Sequence, residues 1–184
     1  MNTQQIEACL RAGLKGTAAG SGFVGALPKD YAADCLRTRP SYGTMCFVAN
    51  THTSDQPGEH WVAYYHDGLG ELEFFDSYGM SPDDLQMPVG EWEGDVKWNT
   101  KTLQGLDSDV CGQYAIYFLV KRSRCSDIGS IVRPFSAVDR HSNDVLVRDF
   151  VCRNFKFCMS VTLRGRSSCR SQVCVAQSQC LCVK

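Results

Sequence analysis

No apolar run in this 184-residue chain approaches the roughly 20 residues that cross a bilayer. Its opening stretch, MNTQQIEACLRAGLKG, lacks the long apolar core of a signal peptide. These absences lead us to expect an intracellular protein with no membrane partner. No internal repeat is present. The segment Cys158–Lys184 contains no acidic residue. Its cysteine spacings match none of the common zinc patterns, so no metal site is assigned.

The length suits one domain with a substantial apolar core. The net charge of −1 is unevenly spread. Met1–Phe157 carries 15 basic and 20 acidic residues, and Cys158–Lys184 carries 4 basic ones. The division expected is a folded body, 1–157, and a basic, Cys-rich, flexible extension, 158–184. Cysteine is abundant, at 11 residues, five of them in that extension. An odd number cannot all pair within one chain. Without an export signal, most are expected to be thiols.

Periodicity supplies the elements. Thr3–Leu14 reads as an amphipathic helix capped by Thr3, with Ile6, Cys9, Leu10 and Leu14 on one face. Phe23–Leu27 is a short apolar piece after a small-residue loop, and Tyr31–Leu36 gives one or two helical turns. Thr44–Asn50, His60–His66 and Glu71–Asp76 read as strands, the last two forming a hairpin around Gly68. Ser81-Pro82 resembles a capped helix start. Val96–Thr100 reads as an edge strand. Asp144–Phe157 reads as a last helix, with Val145, Leu146, Phe150, Val151 and Phe155 inward. The class expected is α+β, a mixed sheet flanked by helices.

The chemistry concentrates in Leu103–Val120, LQGLDSDVCGQYAIYFLV. The apolar run Tyr114–Val120 reads as a helix buried on nearly every side. Cys111 stands at its first turn, facing free backbone N–H groups and the positive end of the dipole. Both favour thiolate, the nucleophilic form. Gln104, an amide donor, lies seven residues upstream and could share an oxyanion with the Cys111 N–H. The plain alternative is a core cysteine opening a structural helix.

The hairpin carries a second pair. A turn centred near Gly68 pairs residues whose numbers add to 136 or 137. His60 then lies opposite Asp76 or Ser77, at the end of an apolar face. A carboxylate beside an imidazole suits fixing the tautomer of a general base. The plain alternative is a strand-end His and a turn Asp capping Ser77-Tyr78-Gly79.

In chain order these residues are His60, Asp76, Gln104 and Cys111, and four segments resemble the adenovirus-type cysteine proteases, the adenain family with its relatives in large DNA transposons and related viruses. They are Asn50-Thr51 with Gly58 and His60-Trp61; Phe75-Asp76-Ser77-Tyr78-Gly79; Gln104 with Cys111-Gly112; and Phe23–Leu27, which is similar to a substrate-cleft segment. The resemblance covers about Met1–Phe157. It implies a papain-like, ubiquitin-like-protease-type fold. It also implies a cysteine endopeptidase processing viral or transposon precursor proteins, in a host nucleus or virion. Catalysis would rest on a Cys111–His60–Asp76 triad with Gln104 in the oxyanion hole, and no metal or organic cofactor. In that family a basic peptide, which can be disulfide-linked upstream of the nucleophile, and DNA act as activators. Here no cysteine lies between Cys46 and Cys111, and the acidic body offers no broad basic surface for phosphates. Leu163-Arg164-Gly165-Arg166-Ser167 resembles a site such enzymes cleave, which makes the chain's own tail a candidate substrate and activator. Two alternatives stand beside this reading. The ubiquitin-like-protein proteases share the residue order, and a catalytically silent binding module could use the same fold.

Overall fold

The computed structural model describes residues 1–38, 43–89, 92, 94–124 and 126–156. The tail site Leu163–Ser167 and the extension around it lie outside the described residues.

Five strands form one mixed sheet in the order β1 (Phe23–Leu27), β2 (Met45–Asn50), β3 (Trp61–His66), β4 (Leu72–Phe75), β5 (Val96–Trp98). The outer pairs β1–β2 and β4–β5 are parallel, and the inner pairs are antiparallel. Among the described residues six helices accompany it: α1 (Thr3–Gly13), α2 (Ala18–Ser21), α3 (Lys29–Arg37), α4 (Cys111–Arg122), α5 (Ile128–Val132) and α6 (Arg140–Phe155). This is the α+β class expected.

Both sheet faces are covered, which explains why β2 is buried at every position. On β3, Ala63 and Tyr65 join the larger core with α1, α4 and α6, while Val62 and Tyr64 join a smaller core with Ala32 and Leu36 of α3. Helix α4 is the centre of the larger core. Phe118 stacks on Phe75 of β4 at a 4.6 Å centroid distance, nearly parallel. Gly112 lets α1 approach closely, since a Cβ there would come within 3.2 Å of Ile6. At its far end Arg122 donates to the buried Glu73 carboxylate at 2.6 Å and lies over the Tyr65 ring at 4.3 Å. Burial raises the Glu73 carboxyl above its ordinary range, and Arg122 opposes that.

Several expectations are corrected. The α1 cap is Asn2, not Thr3: Asn2 and Gln5 bond reciprocally in a capping box. The small-residue loop contains α2, and α3 extends through nine residues. No helix follows Ser81. Its hydroxyl does accept the Asp84 N–H, but Gln86 turns to a φ of 52° and Pro88 disfavours helical geometry before it. Helix α6 begins at Arg140 with Asp139 as its cap. Its inward face is Asn143, Asp144, Val147 and Val151, whereas Val145 and Leu146 are each 41% exposed.

The hairpin register differs by a small step with an instructive result. Tyr64 pairs with Phe74 and His66 with Leu72, so paired numbers add to 138. The slip is two from 136, which preserves the face of every side chain, and one from 137, which reverses it, so the 136 register is the one that places the faces. Asp76 therefore stays on the face expected, level with Val62 and diagonal to His60.

Removing Arg122 would leave Glu73, 2% exposed at its side chain, without its counter-charge. Arg122→Ala should destabilise the fold by about 3 kcal/mol. Chemical denaturation measures this, and a change within 0.5 kcal/mol, about that of a surface site, would remove the pair from the forces anchoring α4.

Candidate active site

Four segments converge on one cleft of about 520 Å³, whose walls include His60, Trp61, Tyr78, Met80, Gln104 and Cys111. The loop between β2 and β3 delivers His60. Asn50 closes that loop, its side-chain oxygen accepting the N–H groups of His52 at 2.9 Å and Glu59 at 3.0 Å. The Thr51 N–H then bonds the His60 carbonyl at 2.9 Å.

His60 Nε2 lies 2.5 Å from Asp76 Oδ1. Asp76 is fully buried, and its second oxygen accepts the Met80 N–H at 2.9 Å. Its main chain is held from both sides by Asn99, just past β5: the Asp76 N–H donates to Asn99 Oδ1 at 3.1 Å, and Asn99 Nδ2 donates to the Asp76 carbonyl at 2.6 Å. Gly79 completes this turn at a φ of +76°, where a Cβ would sit 2.7 Å from the Lys101 main chain. Tyr78 covers the imidazole, with ring centroids 5.0 Å apart.

Cys111 is the first residue of α4, and no side chain caps that end. The earliest N–H groups of a helix have no intrahelical partner, so this end can receive negative charge. Burial alone would raise the thiol; the His60 hydrogen bond and charge, with the Trp61 N–H, reverse this and lower it below its ordinary 9.0. Among the described free cysteines the others go the opposite way. Burial pushes Cys46 up to about 12 and Cys9 up to about 11, and it raises Cys35 as well. Cys152 is disulfide-bonded. His60 mirrors Cys111. Burial lowers its imidazole, but Asp76 and Cys111 overcome this and raise it from 6.5 to about 9.

Gln104 is buried behind Cys111. Its Oε1 accepts the Ser77 hydroxyl at 2.7 Å, and its Nε2 donates to the Ser108 carbonyl at 2.6 Å. The preceding Leu103 carbonyl receives Asn143 Nδ2 at 3.0 Å, and the Tyr114 hydroxyl lies 3.1 Å from it. The structure thus brings together all four residues singled out from sequence. Ser77, Tyr78 and Asn99 were not singled out. Ser77 and Tyr78 stand in the segment that resembles the family's acidic-residue stretch but carry no role there, and nothing in the local sequence of Asn99 points to Asp76. Among the described residues, no cluster of three or more His, Cys, Asp or Glu is placed to hold a metal. No described helix is long and apolar enough to cross a membrane.

No protein-family model matches this chain, and no curated protein matches it. Among solved structures it is similar to the central domain of the uncharacterised Lpg1148 protein of Legionella pneumophila, at 15% identity and a TM-score of 0.53, covering 85% of this chain and 98% of that one. It also aligns with the SUMO protease Ulp1, solved with its catalytic cysteine oxidised, at 14% identity and a TM-score of 0.43, over 82% of this chain and 78% of that one. An African swine fever virus (ASFV) protease aligns at 21% identity and a TM-score of 0.38, over 56% and 43%. The first of these is a likeness of fold alone, and at such scores the other two carry no argument; the site is argued from its own residues.

The opposed shifts of Cys111 and His60 give a pH signature. Alkylation of Cys111 by iodoacetamide should rise with a midpoint below the ordinary 9.0, and His60→Ala should move that midpoint upward, because burial then loses its largest opponent. Folding raises the His60 pKa, so the charged imidazole stabilises the folded state fully below about 6.5, and that contribution is lost as pH rises through about 9. A midpoint unchanged by His60→Ala would show that the two groups do not interact.

Proposed function

We propose that this chain is a cysteine endopeptidase. The observation that carries the reading is a helix-opening thiol sharing one cleft with an imidazole that lies 2.5 Å from a fully buried carboxylate, an arrangement that lowers the thiol below its ordinary range. In this reading His60 takes the Cys111 proton, giving a thiolate–imidazolium pair, and Asp76 orients the ring. The thiolate attacks a peptide carbonyl. The Cys111 N–H and Gln104 Nε2–H receive the oxyanion. His60 gives its proton to the leaving amine, and water then hydrolyses the thioester with His60 as base. None of these steps uses a metal or organic cofactor.

The substrate is a polypeptide. The apolar cleft walls Trp61, Tyr78, Met80 and Leu85 suit an extended chain with apolar side chains. The four-segment resemblance favours precursor proteins of a virus or transposon, and it makes the segment Leu163–Ser167 of this chain a candidate for self-cleavage. A second reading, a protease of ubiquitin-like proteins, is compatible with Trp61 following His60 and with Asp76 as third member, features that family shares. A peptide-library cleavage profile separates them: Gly-containing internal sites support the first, and cleavage restricted to ubiquitin-like C-termini supports the second.

Cys111→Ala and His60→Ala should each abolish cleavage with the fold retained. Asp76→Asn should keep a small residue of activity. Gln104→Ala should cost about 3 kcal/mol of transition-state stabilisation. These are read as kcat/KM on the best library peptide, with circular dichroism as the control for folding. Undiminished cleavage by Cys111→Ala would sink the assignment, and no cleavage by the wild type would leave a catalytically silent binding module on this fold.

A further inference from the structure

Asp76 and Ser77 are neighbours in sequence and both buried, yet they reach different halves of the site. Asp76 holds the imidazole. Ser77 makes three bonds to the segment carrying Gln104. Its carbonyl accepts the Leu103 N–H at 2.8 Å and the Gln104 N–H at 3.0 Å, and its hydroxyl donates to Gln104 Oε1 at 2.7 Å.

A carboxamide has two orientations of nearly equal shape, distinguished only by its hydrogen-bond partners. The Ser108 carbonyl can only accept, so it takes one Nε2–H of Gln104, at 2.6 Å. The Ser77 hydroxyl occupies Oε1. With both ends held, one Nε2–H remains uncommitted, on a side chain that lines the cleft with Cys111. We propose that Ser77 is a positioning residue that sets this remaining N–H for the oxyanion. The inference rests on the reading of Gln104 as an oxyanion donor. One turn, 76–77, then sets the acid–base half and the oxyanion half of the site together, and Asn99 anchors that turn through the Asp76 main chain.

Without the Ser77 hydroxyl, Gln104 Oε1 is a buried acceptor without its donor, and the carboxamide is free to turn away from the cleft. The loss falls on steps that build charge on a carbonyl oxygen. Forming the thiolate does not involve it. Two small probes of Cys111 separate these effects. Acetylation by p-nitrophenyl acetate passes through a tetrahedral oxyanion: a sulfur–carbon bond forms, and p-nitrophenolate leaves with the electron pair of the ester bond. Alkylation by iodoacetamide forms a sulfur–carbon bond and releases iodide, with no oxyanion. Rates are taken on the full chain, with Cys111→Ala subtracting reaction at other thiols.

Ser77→Ala should slow acetylation about tenfold and leave alkylation within about twofold at every pH, with Gln104→Ala slowing acetylation at least as much. The double variant should fall no further than Gln104→Ala alone, because the hydroxyl acts through that side chain. Equal losses in both reactions, including through loss of the fold, would overturn the proposal, as would losses that add in the double variant or an unchanged acetylation rate in Ser77→Ala. If Gln104→Ala acetylates at the wild-type rate, the oxyanion assignment fails instead, and full peptide cleavage by Cys111→Ala would overturn the protease reading beneath both.

Discussion

The structure turns on one buried negative charge. The Asp76 carboxylate has no exposed surface, and an unmatched charge in that position would cost several kcal/mol. Three constraints follow from matching it. An imidazole has to stand against one oxygen, which fixes His60 and the loop that delivers it. A main-chain N–H has to meet the other, which bends the chain into the 76–80 turn and brings Met80 to the cleft. The main chain of Asp76 itself has to be immobilised, which Asn99 does from the next strand. Gly79 is required because the turn presses against Lys101 at a backbone angle that other residues resist.

Helix α4 carries a different electrostatic feature at each end. Cys111 opens it, where free N–H groups favour charge on sulfur. Arg122 closes it, where a cation suits the dipole and meets the buried Glu73 carboxylate. Both ends are tied to the same hairpin, Cys111 through His60 and Trp61, Arg122 through Tyr65 and Glu73. Cys46 and Cys9 lie in the same core and share the thiol chemistry, but no imidazole opposes their burial. The difference between Cys111 and these buried thiols is electrostatic.

Much of this was legible in sequence, for identifiable reasons. The apolar run after Cys111 leaves few alternatives to a buried helix. Alternation along β3 and β4 assigns faces, and a register error of two from 136 leaves His60 beside Asp76, on the diagonal and not directly opposite. That error arose from the connection: the five residues 67–71 join the paired His66 and Leu72, which moves the turn's centre past Gly68. The inward face of α6 and the role of Asn99 were hidden for another reason, polar residues whose partners are distant in sequence. Val145 and Leu146 appeared more suited to a core than Asn143 and Asp144, yet the polar pair faces inward because Leu103, Ser136, Gly105 and Tyr114 wait there with unsatisfied groups. Asn99 is the same case at the site itself.

The likeness to the Legionella domain extends over most of both chains at 15% identity. A fold can persist through that much substitution because cores tolerate exchange when pattern and volume are kept. A site is not tolerant in this way, and fold does not by itself bring function. In this chain the most constrained stretch is therefore not helix α4, whose apolar positions admit many residues. It is the turn from Asp76 to Met80. There one residue meets the His60 imidazole, the next reaches the Gln104 amide behind Cys111, and a glycine lets the turn close on Lys101.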